Sequence, residues 1–198
     1  MKTHDLMPYF EGSRADLIAQ VEPQMSAKRF AHVLRVETMA LELAKQYDID
    51  ETLASIAALT HDYAKERPDT DFLNVIAEHH LDPEVKAWGN NVWHGVVGAY
   101  LVAQELHIHD ARILTAIQQH TVGGAYMSPL SQILYMADYI ESGRTFPGVE
   151  EVRALAFTDL AASVGWQTQH TLNYLITQKL PVYPGTLQTY NVWSTKHD

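Results

Sequence analysis

The chain has 198 residues, 46% of them hydrophobic and 19% charged, with no cysteine, eleven histidines and a formal net charge of −10. That composition supports one sizeable domain with a real core, and it excludes disulfides, zinc–thiolate sites, iron–sulfur clusters and cysteine nucleophiles. Like-charge repulsion speaks against broad binding to DNA, RNA or an anionic membrane, and no apolar run approaches the roughly 20 residues that span a bilayer.

In chain order, the opening MKTHDLMPYFEGSRADLI has neither the long apolar stretch nor the small-residue cleavage site of a signal peptide, so the expected location is the cytoplasm. Residues 1–25 are read as a peripheral arm. Ser26 then caps AKRFAHVLRVETMALELAKQY, an amphipathic helix whose stripe holds Val33, Val36, Ala40, Leu43 and Ala44, with His32 beside it. ETLASIAALTHDYAKE is apolar almost all round, which predicts a centrally buried helix that Pro68 stops. Residues 71–80 predict a third helix, closed before Pro83. After the turn at Gly89-Asn90-Asn91, HGVVGAYLVAQEL predicts one helix with His94 near its start. Asp110 caps ARILTAIQQH, which ends at His120 where Gly123-Gly124 breaks the chain. Ser128-Pro129 opens the helix that carries Asp138. GRTFPG is a loop, and a last helix near 158–180 runs into Pro181 and Pro184. No alternating strand pattern, repeat or low-complexity linker interrupts this series. The reading is one all-α domain over 26–180, with 181–198 as a tail.

An aspartate at the end of the most apolar helix is costly unless it is paired or binds a cation. Taken alone, His61-Asp62 reads as a core histidine beside an Asp62–Lys65 ion pair. Yet His32, His94 and His120 each fall near a helix end or on an apolar stripe, and Asp138 follows SQILYMA. Five helices therefore deliver four imidazoles and two carboxylates. Such donors suit iron, manganese or zinc, and a carboxylate bridges two ions.

The order His32, His61-Asp62, His94, His120, Asp138 resembles the HD superfamily of metal-dependent phosphohydrolases. The phrases RFAHVLRV, ALTHDYAKE, WHGVVGAYL, QQHTVGG and MADYIESGRTFPG narrow the resemblance, over residues 26–157, to the YqeK family of bacterial symmetrical dinucleoside tetraphosphatases. The resemblance implies an HD-domain helical bundle with a central metal site. It implies hydrolysis of diadenosine tetraphosphate to two ADP by hydroxide generated at iron, as one or two ions, with manganese or another divalent metal as the alternative. His32, His61, Asp62 and Asp138 would bind the first ion; His94 and His120 would complete a second, with Asp62 bridging. Catalytic roles fall to Asp62, Lys65 and Arg144. Substrate contacts are implied for Arg29, His32, Lys65, His94, His120, Thr121, Arg144, Thr186 and Tyr190, the last two on a tail, PGTLQTYN, that closes over the nucleotide. Ser142 stands where that family usually has proline. The implied partner is a small dinucleoside polyphosphate, with no nucleic acid and no membrane; a homodimer is compatible.

Three rival readings stand beside this one. They are another HD nucleotide phosphohydrolase (for a deoxynucleotide, a monophosphate or a guanosine alarmone), a di-iron HD-type oxygenase, and a non-catalytic nucleotide-binding module. Lys65 read alone is a helix-end cation, and Arg144 a surface ion pair. Glu141 reads as orienting Arg144 or a water, or as a solvated carboxylate. His79, His80, His107 and His109 read as surface residues. Trp88, Trp93, Tyr100, Tyr135 and Tyr139 read as core. Tyr190 and Trp193 are candidates for base stacking or for packing of the tail.

Overall fold

The computed structural model describes residues 6–195, and within them every regular element is helical. In chain order these are α1 (Arg14–Val21), α2 (Ala27–Gln46), α3 (Glu51–Thr60), α4 (Asp69–Glu78), α5 (Asn90–Val96), α6 (Gly98–Leu106), α7 (Ala111–Gln119), α8 (Pro129–Ile140), α9 (Val149–Thr158), α10 (Leu160–Thr177) and α11 (Pro184–Trp193), with short 3₁₀ turns at Glu22–Gln24 and Pro83–Ala87. The all-α expectation holds. No helix of the described residues is long and apolar enough to cross a membrane. Residues 1–5 of the expected N-terminal arm and 196–198 of the tail lie outside the described residues.

The caps act where the sequence places them. Ser26, Asp110 and Ser128 each accept from a main-chain amide of the first turn they precede, which satisfies one otherwise orphaned donor per helix. α3 is the hub: every residue from Leu53 to Thr60 is buried, and the helix packs on α1, α2, α7 and α8. Around it, Val33, Val36, Leu43, Ile113, Ile117, Ile133 and Leu134 form the main core. A smaller cluster of Phe72, Val75, Ile76, Val85, Trp93, Val97 and Leu101 seats α4 against α5 and α6.

Several expectations change. The helix expected to run to Pro68 ends at Thr60, because Tyr63 bonds back to Thr60, Lys65 to Asp62 and Arg67 to Ala64, an i→i+3 pattern that tightens the chain into turns. The helix after Gly89 is split at Val97 into α5 and α6. α9 fills the interval between the GRTFPG loop and the last helix expected near 158–180, which the sequence reading leaves unassigned. The segment before Ser26 holds α1, whose Leu17 and Val21 join Leu6 and Phe10 in the main core. The segment after Pro181 holds α11, packed on α10.

Candidate metal centre

The site forms where the ends of α3, α5 and α7 meet the inner faces of α2 and α8. Its centre is Asp62, 2% exposed, placed just past α3 by the tight turns described above. Its Oδ2 lies 3.4 Å from His61 Nε2, 3.7 Å from His32 Nε2 and 2.9 Å from a guanidinium nitrogen of Arg29. Its Oδ1 lies 3.5 Å from His94 Nε2 and 3.9 Å from His120 Nε2. Asp138, at the end of α8, brings Oδ1 to 3.0 Å from His32 Nε2, though without hydrogen-bond alignment. The structure thus gathers all six expected ligands.

Close backbone approach makes this convergence feasible. A Cβ at Gly95 would sit 3.0 Å from Thr121 Oγ1 and 3.3 Å from the His120 ring. Glycine at that position lets α5 abut the end of α7 and brings His94 Nε2 to 3.2 Å from His120 Nε2.

The second nitrogen of each imidazole is already engaged. The Nδ1 atoms of His61, His94 and His120 face the carbonyls of Ala58, Asn90 and Ile117 at 2.7, 2.6 and 2.7 Å, and His32 Nδ1 faces Glu141 Oε1 at 3.2 Å. A carbonyl only accepts, so three of these contacts put the proton on Nδ1 and turn an Nε2 lone pair inward. The Nε2 atoms of His32 and His61 are buried without a hydrogen-bond partner. Three subsets offer ligand atoms all within 4.8 Å of one another: His32–His61–Asp62, His61–His120–Asp138 and Asp62–His94–His120. Orphaned nitrogen lone pairs facing carboxylates are a donor set that suits a divalent cation.

Electrostatics agree. Burial alone would raise the Asp62 carboxyl, but the imidazoles of His61, His94 and His120 overcome it and hold Asp62 well below the usual carboxylate range. Burial, the neighbouring His120 and Lys65 push His94 down to about 3, while burial and His61 push His120 down to about 4. Both rings are therefore neutral at physiological pH, the form that ligates metals.

The expected cations lie at the rim. Lys65 Nζ is 3.3 Å from His94 Nδ1 and 3.5 Å from Asn91 Oδ1. Arg144 reaches Asp138 Oδ1 at 2.9 Å, and Arg29 sits on Asp62. Thr121, just after His120, has a buried hydroxyl without a partner. Thr186 is buried and Tyr190 half-buried on α11, and no hydrogen bond or ion pair among the described residues joins either side chain to the ligands. α11 reaches the centre's wall indirectly: the Thr189 hydroxyl lies 2.9 Å from the Val122 carbonyl, and Trp193 Nε1 donates to the Gly124 carbonyl. Trp193 thus packs the tail. Trp93 and Tyr135 are buried, Trp88, Tyr100 and Tyr139 half-buried, and the four histidines read as surface residues are exposed. Sequence reasoning missed Arg35 and Arg153, and it left Glu141 undecided. Glu141 is 2% exposed and is no solvated carboxylate.

Residues 29–143 match the HD domain. The chain is similar to the symmetrical bis(5′-nucleosyl)-tetraphosphatase of Bacillus subtilis (strain 168), at 40% identity over 90% of this chain and 96% of that protein. It is similar to the protein of the same name from Halalkalibacterium halodurans at 38% identity, over 90% of this chain and 96% of that protein. Its fold matches the crystal structure of a predicted HD superfamily hydrolase involved in NAD metabolism from Clostridium acetobutylicum. That match has a TM-score of 0.85 at 31% identity and covers 90% of this chain and 95% of that one. The chain belongs to the HD-domain family, and within it to the family of these symmetrical tetraphosphatases.

Proposed function

We propose that the chain hydrolyses diadenosine tetraphosphate symmetrically, releasing two molecules of ADP, with iron as the divalent metal. The observation that carries this reading is the convergence of four imidazole nitrogens on the Asp62 carboxylate, with a second carboxylate, Asp138, against His32. The names of relatives that match nearly the whole chain supply the substrate class. His32, His61, Asp62 and Asp138 would hold one ion, and His94 and His120 a second, with Asp62 between them. Bound there, the metal supplies water of lowered pKa, from near 16 toward about 7, and positive charge against phosphoryl oxygens.

The chain's own residues do the rest. Lys65, beside His94, and Arg144, on Asp138, bind and orient non-bridging phosphate oxygens, since phosphoryl transfer is mostly positioning and charge stabilisation. Arg29 fixes the Asp62 carboxylate and faces the same phosphates. The unpartnered Thr121 hydroxyl is a donor for the nucleotide. α11, with Thr186 and Tyr190, forms a wall of the nucleoside pocket, and that pocket sets which phosphorus meets the centre. Symmetry of cleavage is a matter of that distance.

The test is an anaerobic assay of purified protein with diadenosine tetraphosphate, before and after chelation and after adding back ferrous or manganous ion. ADP as sole product, lost on chelation and restored best by ferrous ion, is expected. ATP plus AMP would refute symmetrical cleavage. Turnover of deoxynucleotides, monophosphates or a guanosine alarmone instead would select another phosphohydrolase, and oxygen consumption without hydrolysis in a parallel aerobic run of the ferrous protein would select the oxygenase.

A further inference from the structure

Three of the four imidazoles in the centre take their orientation from their own local backbone: the acceptors for His61, His94 and His120 lie three or four residues earlier in the chain. His32 differs. Its Nδ1 partner is Glu141, 109 residues away, on the turn that follows α8. That carboxylate is itself tightly held. Glu141 Oε2 accepts from Arg35 Nε at 2.6 Å and from the Gly143 amide at 2.5 Å, and Arg35 Nη2 reaches Oε1 at 3.3 Å. The turn is bracketed from its other side by Arg153 of α9. Arg153 donates to the Ile140 carbonyl at 2.7 Å and to the Glu141 and Arg144 carbonyls at 2.9 Å each. Arg35, one helical turn after His32 on α2, therefore fixes Glu141 against the ring that its own helix carries.

From this we infer that Glu141 is a positioning residue that sets the tautomer of His32, holding the ring proton on Nδ1 so that Nε2 faces the centre as a lone pair. The inference rests on the metal-binding reading of the site. A carboxylate behind a ligating imidazole fixes ring orientation and raises donor strength. Arg35 and the Gly143 amide orient the carboxylate, and they also make the arrangement one-sided. In Glu141→Gln, their donor hydrogens at Oε2 require the amide oxygen there, which turns the amide NH₂ toward His32 Nδ1. An NH₂ group only donates. The isosteric change therefore moves the ring proton to Nε2 and removes the lone pair from the centre, while shape and packing stay nearly constant.

The test uses the full chain, labelled with ¹⁵N-histidine and freed of metal, and reads imidazole tautomers from long-range ¹H–¹⁵N spectra. The wild type is expected to carry a hydrogen-bonded Nδ1 proton on His32. Glu141→Gln is expected to lose it in favour of an Nε2 proton, with the thermal midpoint close to wild type. Chelator competition with zinc as the probe is expected to show about 10- to 100-fold weaker binding in Glu141→Gln. Glu141→Asp, which restores the charge, is expected to recover part of that affinity. A Glu141→Gln protein that keeps the Nδ1 proton on His32 would overturn the inference, as would one that binds zinc like wild type. A wild-type chain that bound no divalent ion would instead sink the metal-binding reading, and the tautomer spectrum would still decide the role of Glu141.

Discussion

Asp62 touches five cationic or cation-capable side chains within 3.9 Å, so charge at this one position governs the behaviour of its neighbours. Lys65 is different: it contacts His94 and Asn91, and an ammonium group has donors but no lone pair to offer a metal. Lys65→Met is therefore expected to lower kcat by about 10²- to 10³-fold, the usual cost of one oriented donor to a developing oxyanion. Bound metal, measured by elemental analysis, should be unchanged. A fall in metal content equal to the fall in rate would reassign Lys65 to the metal site. The histidines set a pH dependence of their own. His94 and His120 drop from an ordinary 6.5 to about 3 and about 4, chiefly through burial. Between those values the unfolded chain binds more protons than the folded one, so stability rises with pH across that window. His61, raised by Asp62 and Asp138 against burial, acts in a different window: its contribution is complete below 6.5 and is lost as pH rises from 6.5 through its folded value. Below 6.5 only the two lowered rings among these three contribute a slope. The metal-free protein is expected to lose urea resistance steadily from pH 6.5 to 4, and His94→Asn should flatten that slope.

Elements that announce themselves do so through local chemistry. Ser26, Asp110 and Ser128-Pro129 were legible because a cap acts on the amides next to it. The six proposed ligands were legible because polar groups on apolar helical stripes need a reason. α9 was also legible in principle, since Val149, Val152 and Ala156 share a face, but the preceding TFPG signal masked its start. α11 was not: the residues it buries are Thr186 and Thr189, which leave no apolar stripe to read. The contacts of Glu141 were hidden for a related reason, because its partners on α2 lie 106 and 109 residues away. α11 docks through close glycine contacts, at Gly165 against the Trp193 carbonyl and at Gly123 against Thr189. Gly123 has φ +69°, and a Cβ there would lie 2.5 Å from Thr189. Gly123→Ala combines a left-handed penalty of about 1–2 kcal/mol per residue with displacement of the Thr189 side chain. It is expected to lower stability by at least that amount in chemical denaturation. It should also raise KM more than it lowers kcat, because α11 walls the proposed nucleoside pocket and carries no ligand. An unchanged KM would detach α11 from substrate binding.

Across the whole molecule, the proposed ligands come from α2, the turn after α3, α5, the end of α7 and α8, so an ion bound at the centre ties together four helices of the main core, α2, α3, α7 and α8, and adds α5 to them. Those elements have no covalent link apart from the chain itself, since the sequence lacks cysteine. In the metal-free state the core also carries unpartnered His32 and His61 nitrogens beside two carboxylates, an arrangement that costs free energy until a cation satisfies it. Metal binding is then linked to folding. At a free concentration about 100 times Kd, a single ion adds about 2.7 kcal/mol. For a chain of this length each kcal/mol moves the midpoint by about 2–4 °C, so a rise of roughly 5–11 °C is expected. Calorimetry of the chelated protein, titrated with manganous ion at pH 7.5, measures it. Asp62→Ala removes the one carboxylate common to two of the three close ligand groups and is expected to abolish most of the rise. If that variant gained as much as the wild type, the ion would be binding elsewhere on the acidic surface, and the helices would owe their packing to the apolar core alone.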